Sequence, residues 1–296
     1  MSKRMIGNGM LLLAAMIWGA SFVAQVVGLD YVGPFTFLAV RSLLGSLVLL
    51  PVIAILDKSG ISKKPTAQKE KKTLLIAGCL CGLFLFTACA LQQVGLMTTE
   101  AGKGGFLTAL YIILVPIIGL FFRKKVSPWV WLAVILALIG LFLQCAGDMT
   151  IGIGEILLIL CAVAFSGHIL VIDHFSPHVD GVRLSCLQFF VCGIICLVIA
   201  VFTEDITLSS LKQCWLPIAY SGILSAGAGY TLQILGQART EPTTASLLMS
   251  LESVFSVLSG WLLIGERLSL PELIGCCLVF AGVVLAQIPS KKIVAS

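Results

Sequence analysis

The sequence predicts an all-α membrane protein of ten transmembrane helices, laid out as two inverted five-helix repeats. Three observations predict it: apolar runs long enough to cross a bilayer, an uneven distribution of lysine and arginine over the connections, and an internal repeat with an odd number of spans. Of 296 residues, 59% are hydrophobic and 11% charged, against about 25% charged in an average soluble domain. That balance excludes a disordered chain, a nucleic-acid binder and a water-soluble enzyme. Ten spans of ~20 residues also leave no room for an extramembrane domain.

The apolar runs fall at about 7–28, 34–56, 74–95, 102–122, 128–146, 152–172, 183–202, 214–236, 243–264 and 270–288. Each is long enough to cross ~30 Å of hydrocarbon as a helix. Helix is required because backbone polar groups in lipid must be satisfied within the segment, and the alternation of a barrel strand is absent. The first run follows Lys3 and Arg4 but is longer than a signal-peptide core, so it reads as a retained helix. Placing Lys3 and Arg4 in the cytoplasm puts Lys58, Lys63, Lys64, Lys69, Lys71, Lys72, Arg123, Lys124, Lys125, Arg183, Arg239, Lys291 and Lys292 there too. Only Lys103, Lys212 and Arg267 fall outside, and Arg41 lies within the second span. This bias fits an even number of helices with both termini cytoplasmic in the cytoplasmic membrane. The lysine-rich stretch 58–72 reads as a topology-setting loop, with binding of anionic lipid headgroups as the sharper alternative.

The repeat is explicit in Leu91-Gln92-x-x-Gly95-x-x-x-Thr99-Glu100, which recurs as Leu232-Gln233-x-x-Gly236-x-x-x-Thr240-Glu241 at a separation of 141. The register continues through Gly119 and Gly260 and, with one residue inserted, to Gly140 and Gly282; at the front, Gly9/Gly154 and Ser21/Ser166 match at 145. The units are residues 1–147 and 148–290. A unit with five spans must enter the membrane the opposite way round the second time, and inverted repeats are an architecture of alternating-access transporters.

The residues then carry a family resemblance. The Trp18-Gly19-Ala20-Ser21-Phe22 stretch of the first span, the intramembrane Arg41, and Gly265-Glu266-Arg267-Leu268-Ser269 followed by Gly275 and Gly282 resemble the EamA-type family of the drug/metabolite transporter superfamily. The resemblance covers essentially the whole chain. It implies a carrier of small metabolites, often an exporter, with helices 1–4 and 6–9 around a central cavity and helices 5 and 10 at the periphery.

Ionisable groups at bilayer depth cost about 2.5 kcal/mol or more and mark function by default. Glu252, midway along the ninth span, needs a partner or a proton; it serves either coupling or a structural hydrogen bond to Tyr111, the residue at its repeat-equivalent position. Arg41 either meets an anionic substrate group or bridges to Glu100 or Asp30. Lys103, in Gly102-Lys103-Gly104-Gly105, marks a gate or a close packing site. Ser21, Gln25, Gln92, Gln93, His168, Gln188, Tyr230 and Gln233 add uncharged polar groups, and the Gln92/Gln233 pair suits gates at opposite faces or ordinary interhelical hydrogen bonds. Trp18 completes the candidate set.

Other chemistries find little support. His168, His174 and His178 surround Asp173, but Pro177 interrupts a helical metal pair. The eleven Cys show no paired CxxC spacing. No GxxxxGK, HExxH or GxSxG occurs. The expectation is a non-enzymatic secondary transporter of an amino-acid-like or amphipathic solute, with membrane lipids as surroundings, protons as the coupling ion, and no metal, cofactor or nucleic acid. A passive channel or sensor, and less so an intramembrane enzyme, are the rival classes.

Overall fold

The computed structural model describes residues 3–60, 64–122, 126–144 and 151–286. Lys63, Arg123, Lys124, Lys125, Lys291, Lys292 and the repeat boundary at 147/148 lie outside the described residues. Among the described residues the chain is helical throughout, without a strand. The first three helices are α1 (Lys3–Leu29), α2 (Pro34–Lys58) and α3 (Gln68–Gly95). Next come α4 (Ala101–Thr108), α5 (Tyr111–Phe121), α6 (Pro128–Gln144), α7 (Ile153–Phe175) and α8 (Gly181–Thr203). A short α9 (Leu208–Gln213) precedes α10 (Trp215–Ala219), a π-helical segment π1 (Tyr220–Gly229) and α11 (Tyr230–Gln237). The chain ends in α12 (Pro242–Met249), α13 (Leu251–Ser259), a second π segment π2 (Gly260–Ile264) and α14 (Leu270–Ala286).

Among the described residues, seven helical stretches are long and apolar enough to cross a membrane, counting Ala101–Phe121 and Pro242–Ile264 as one each, and α6 and α14 are shorter apolar helices. The chain is therefore a multi-pass membrane protein. Several predicted bounds move. The polar stretch 58–72 is helical at its two ends, because α2 carries on through Lys58 and α3 begins at Gln68, so Lys69, Lys71 and Lys72 ride on the first turns of α3. Hydropathy misses this extension because a helix keeps its backbone bonds after it leaves the apolar layer. The run at 214–236 is not one regular helix: Gly222, Gly227 and Gly229 lie within ten residues of i→i−5 winding, closed by the Tyr230 amide on the Ser225 carbonyl. π2 ends at Gly265 with φ of 73°, a left-handed conformation that favours glycine.

The two ends of the bundle differ chemically. Lys3, Lys64, His178 and Arg239 gather at one end, called here the lysine face. Glu100, Glu155, Glu266 and Glu272 gather at the other, the carboxylate face, with Lys103 and Arg267 among them.

Helices pack mainly across the two sequence halves: α6 on α14, α2 on α8, α3 on α7 and α8, and α1 on α13, α11 and π1. In lipid no hydrophobic force draws helices together, so close contact depends on small residues. A Cβ on Gly140 would lie 2.6 Å from the Gly275 carbonyl oxygen, and one on Gly282 2.8 Å from that of Ala133. α6 and α14 turn large side chains such as Ile135, Phe142, Leu273 and Phe280 outward, toward lipid.

The same contacts recur in pairs. A Cβ on Gly7 would meet the Gly236 carbonyl and Thr240 Oγ1 at 3.0 and 2.8 Å, and one on Gly154 would meet the Gly95 carbonyl and Thr99 Oγ1 at 2.9 and 2.7 Å. Gly95 and Gly236 are 141 apart, while Gly7 and Gly154 are 147 apart. The contacts thus put the front register at 147 rather than the 145 suggested by Gly9/Gly154 and Ser21/Ser166. Helix ends show the same pairing. Glu204 accepts hydrogen bonds from the Phe35 and Thr36 amides at 2.8 and 2.7 Å, capping α2; Asp57, 147 residues earlier, holds the Arg183 guanidinium at the start of α8. Charge-assisted capping is worth about 1–2 kcal/mol. Glu204→Ala is expected to lower stability by about that amount, read as a lower thermal midpoint in detergent, with Glu204→Gln recovering part of it.

Candidate functional site

The centre of the bundle is reached through two broken helices. The stretch 101–121 breaks after Thr108, and the stretch 242–264 breaks at Ser250. At both, the winding tightens to i→i−3 bonds: Ile112 N to the Ala109 carbonyl at 3.0 Å and Ser253 N to the Ser250 carbonyl at 3.1 Å. Neither break contains proline or glycine. Pro116 lies one turn beyond the first and withholds an amide from the Ile112 carbonyl. Around the second, serine hydroxyls turn back to the chain: Ser250 Oγ donates to the Leu247 carbonyl at 2.8 Å and Ser253 Oγ to that of Ser250 at 2.9 Å, which loosens regular winding.

The breaks present Tyr111 and Glu252 to each other. Tyr111 OH donates to Glu252 Oε1 at 2.8 Å, across 141 residues of sequence. Both side chains are buried, Glu252 being 4% exposed. A second pair at the same separation lies alongside, with Cys89 Sγ 3.9 Å from Tyr230 OH. Arg41 reaches this group from α2. Its Nη2 donates to Cys89 Sγ at 3.4 Å and its guanidinium lies 5.9 Å from the Phe37 ring centre. The anticipated bridge from Arg41 to Glu100 or Asp30 does not form, because Glu100 lies at the carboxylate face and Asp30 in the turn after α1. Arg41 is 3% exposed and takes no carboxylate partner among the described residues.

Trp18, Ser21, Arg41, Gln92, Tyr111, Tyr230, Gln233 and Glu252 line one central cavity. The Trp18 and Tyr230 rings are 4.6 Å apart, and Gly229 permits this because a Cβ there would fall 2.7 Å from Trp18 Nε1. Gln92 Nε2 donates to Thr108 Oγ1 at 3.1 Å. Gln92 and Gln233 thus share one chamber rather than guarding separate faces. His168 is fully buried but lies behind the chamber, 6.0 Å from the Tyr230 ring and 3.0 Å from Gln188 Oε1. Sequence alone marked its depth, not its face. Thr108, Phe165, Ile169, Ser225 and Met249 also line the cavity; Thr108 and Ser225 were legible only as ordinary small polar residues of a span.

The cavity holds about 30 Å³ of water-sized space, room for one or two waters. Trp18 Nε1, Ser21 Oγ, Gln25 Oε1, Arg41 Nε and Gln233 Oε1 are buried there without hydrogen-bond partners among the described residues. Buried polar atoms are ordinarily satisfied, so this group can engage a polar solute.

At the carboxylate face a wider space of about 530 Å³ contains Glu100, Lys103, Glu155, Glu266 and Glu272. Lys103 Nζ pairs with Glu155 Oε1 at 2.9 Å, tying α4 to α7. Burial, with the neighbouring Glu100 and Glu272 carboxylates, holds the Glu266 carboxyl above the ordinary carboxylate range. Such a group binds its proton more tightly when folded, so its contribution is present at low pH and lost as pH rises through the raised value. Glu266→Gln is therefore expected to raise the thermal midpoint at pH 7.5 and to change it little near pH 4.5, in melts at the two pH values.

Comparison with known proteins agrees with this architecture. The chain is 29% identical to an uncharacterized transporter of Archaeoglobus fulgidus, covering 97% of this chain and 87% of the relative. It is 22% identical to the uncharacterized transporter YoaV of Bacillus subtilis, covering 96% of each. A protein of known crystal structure superposes with a TM-score of 0.73 at 19% identity, over 95% of this chain and 96% of that one, a likeness of fold. Residues 5–145 and again 152–287 match the EamA-like transporter family. The chain belongs to the EamA-like transporter family.

Proposed function

We propose that the protein is a secondary transporter that moves a small amino-acid-like or amphipathic metabolite across the cytoplasmic membrane by alternating access, as an exporter. In this reading ten helices form two inverted repeats, 1–147 and 148–290, with both termini and the lysine face cytoplasmic. The carrying observation is the meeting of two broken helices at Tyr111 and Glu252. Discontinuous helices at the interface of inverted repeats are where carriers of this architecture bind solute. The paired contacts at separations of 141 and 147 support the two-fold relation.

The chamber's chemistry supports the solute class. A guanidinium held at depth without a counter-charge is costly, and an anionic group on the solute offsets that cost at Arg41. Trp18 Nε1 adds a donor, while Gln25 Oε1, Gln233 Oε1 and Glu252 offer acceptors for an ammonium or hydroxyl group. The Trp18 and Tyr230 faces suit an apolar portion.

With room for only one or two waters, the chamber admits a metabolite after one face opens. The Gly7–Gly236 approach closes the lysine face and the Gly95–Gly154 approach the carboxylate face, so each is a gate. Glu252 supplies the proton site. A thermal-shift screen against metabolite pools, followed by liposome uptake of any hit, tests the proposal. Saturable uptake that is accelerated by solute on the far side supports a carrier; linear, non-exchangeable flux would replace it with a channel.

A further inference from the structure

We propose that the groove between α2 and α8 at the lysine face binds one anionic phospholipid, its acyl chains along the apolar wall and its phosphate between Lys64, Lys71 and Arg183. The groove encloses about 660 Å³. Leu47, Leu50 and Phe190 form much of its wall and are 59%, 52% and 50% exposed, toward the acyl region. Lys64, Lys71 and Arg183 line it as well.

The depth of these groups matches a lipid. Leu74 lies one turn beyond Lys71 on α3, and Ile53 one turn before Asp57 on α2, so the change from charge to hydrocarbon takes a single turn. Asp57 holds the Arg183 guanidinium in place. Glu70, the nearest acid along the chain, is engaged in capping α3, its carboxylate accepting the Thr66 and Ala67 amides at 3.0 and 3.3 Å. Neither Lys64 nor Lys71 has a carboxylate partner among the described residues. Asp57 takes the Arg183 side chain and Asp180 accepts the Arg183 amide at 2.9 Å, so the positive charge left for a phosphate is that of Lys64 and Lys71 on the groove's lining. Among the described residues, the other end of this helix pair lacks the arginine. Thr36 stands 147 residues before Arg183, and the connection after α8 begins with Glu204 and Asp205. The site therefore selects a lipid of one leaflet.

The test uses native mass spectrometry of the full-length protein with equal amounts of dioleoyl phosphatidylglycerol and dioleoyl phosphatidylcholine. A lysine near an anionic headgroup is worth roughly fivefold in binding. One phosphatidylglycerol per protein is expected to survive activation, at roughly 20-fold preference, with Lys64→Gln/Lys71→Gln removing most of the preference. Lys69→Gln/Lys72→Gln, on the same segment but outside the groove, is expected to leave it intact. Equal retention of the two lipids overturns the proposal, as does an equal loss in the Lys69/Lys72 control, which would mean diffuse surface attraction. Displacement by an equal concentration of glycerol 3-phosphate would reduce the site to an anion site without the groove. The readout is binding, so its failure would leave the transport reading standing, and failure of transport would leave this site standing.

Discussion

Glu252→Gln is expected to yield a folded protein that still exchanges solute across the membrane but no longer accumulates it in response to a pH gradient. The substituted amide keeps a carbonyl oxygen for the Tyr111 hydroxyl, which now lies 2.8 Å from Glu252 Oε1, so the contact between the broken helices persists. What disappears is the group that, in the proposed mechanism, takes up and releases a proton. One pH unit is worth about 1.4 kcal/mol per proton, or tenfold accumulation. Proteoliposomes of the parent protein under that gradient should approach tenfold accumulation per coupled proton, while the variant should settle near unity with counterflow retained. A variant that still follows the gradient would remove Glu252 from coupling. Tyr111→Phe separates the structural role: it strips the carboxyl of its donor and should cost about 1–3 kcal/mol of stability.

Gly236→Val is expected to hold the lysine face open and stop net transport without abolishing solute binding. A Cβ at Gly236 would stand 2.7 Å from Leu11 Cγ and 3.0 Å from the Gly7 carbonyl, and backbone cannot yield as a flexible side chain can. Overpacking of this kind costs about 1–3 kcal/mol, charged here to one conformation, so the closed population falls roughly 5- to 150-fold. Gly95→Val, which meets Leu158 and the Gly154 carbonyl, should do the same at the carboxylate face. Membrane-impermeant thiol reagents applied from each side to cysteines placed beside the gates would read this directly. Labelling should rise on the lysine side for Gly236→Val and on the opposite side for Gly95→Val. Unchanged labelling in both would mean that these glycines serve only packing.

The long helices were legible because lipid imposes a one-dimensional rule on composition, and the repeat was legible where identities cluster, as in Leu91-Gln92 and Leu232-Gln233. At the front the rule failed. Gly9 and Ser21 have look-alikes two positions from their structural counterparts in a chain with 29 Gly, and only backbone contact selects Gly7 for Gly154. The breaks before Tyr111 and Glu252 carried no breaker at the break itself. They arise from a proline one turn away and from serine hydroxyls that compete for carbonyls. Depth along a helix can be counted from sequence, but the rotation that sets Gln92 toward the chamber and His168 behind it depends on neighbours distant in the chain. The thiol that faces Arg41, rather than an acid, is likewise a product of packing between α2 and α3.

The contacts between sequence halves bear on how the protein is made. When α1 to α6 leave the ribosome, the groups they rest on do not yet exist: Glu204 for the start of α2, Arg183 for Asp57, Gly275 for Gly140, Glu252 for Tyr111. The early helices must wait in the bilayer as separately inserted rods, each internally hydrogen-bonded and stable in lipid, until the later ones arrive to close around them. Biogenesis therefore ends in a late, concerted assembly instead of proceeding one half at a time, and a chain truncated after α6 should be recognised as an orphan and degraded.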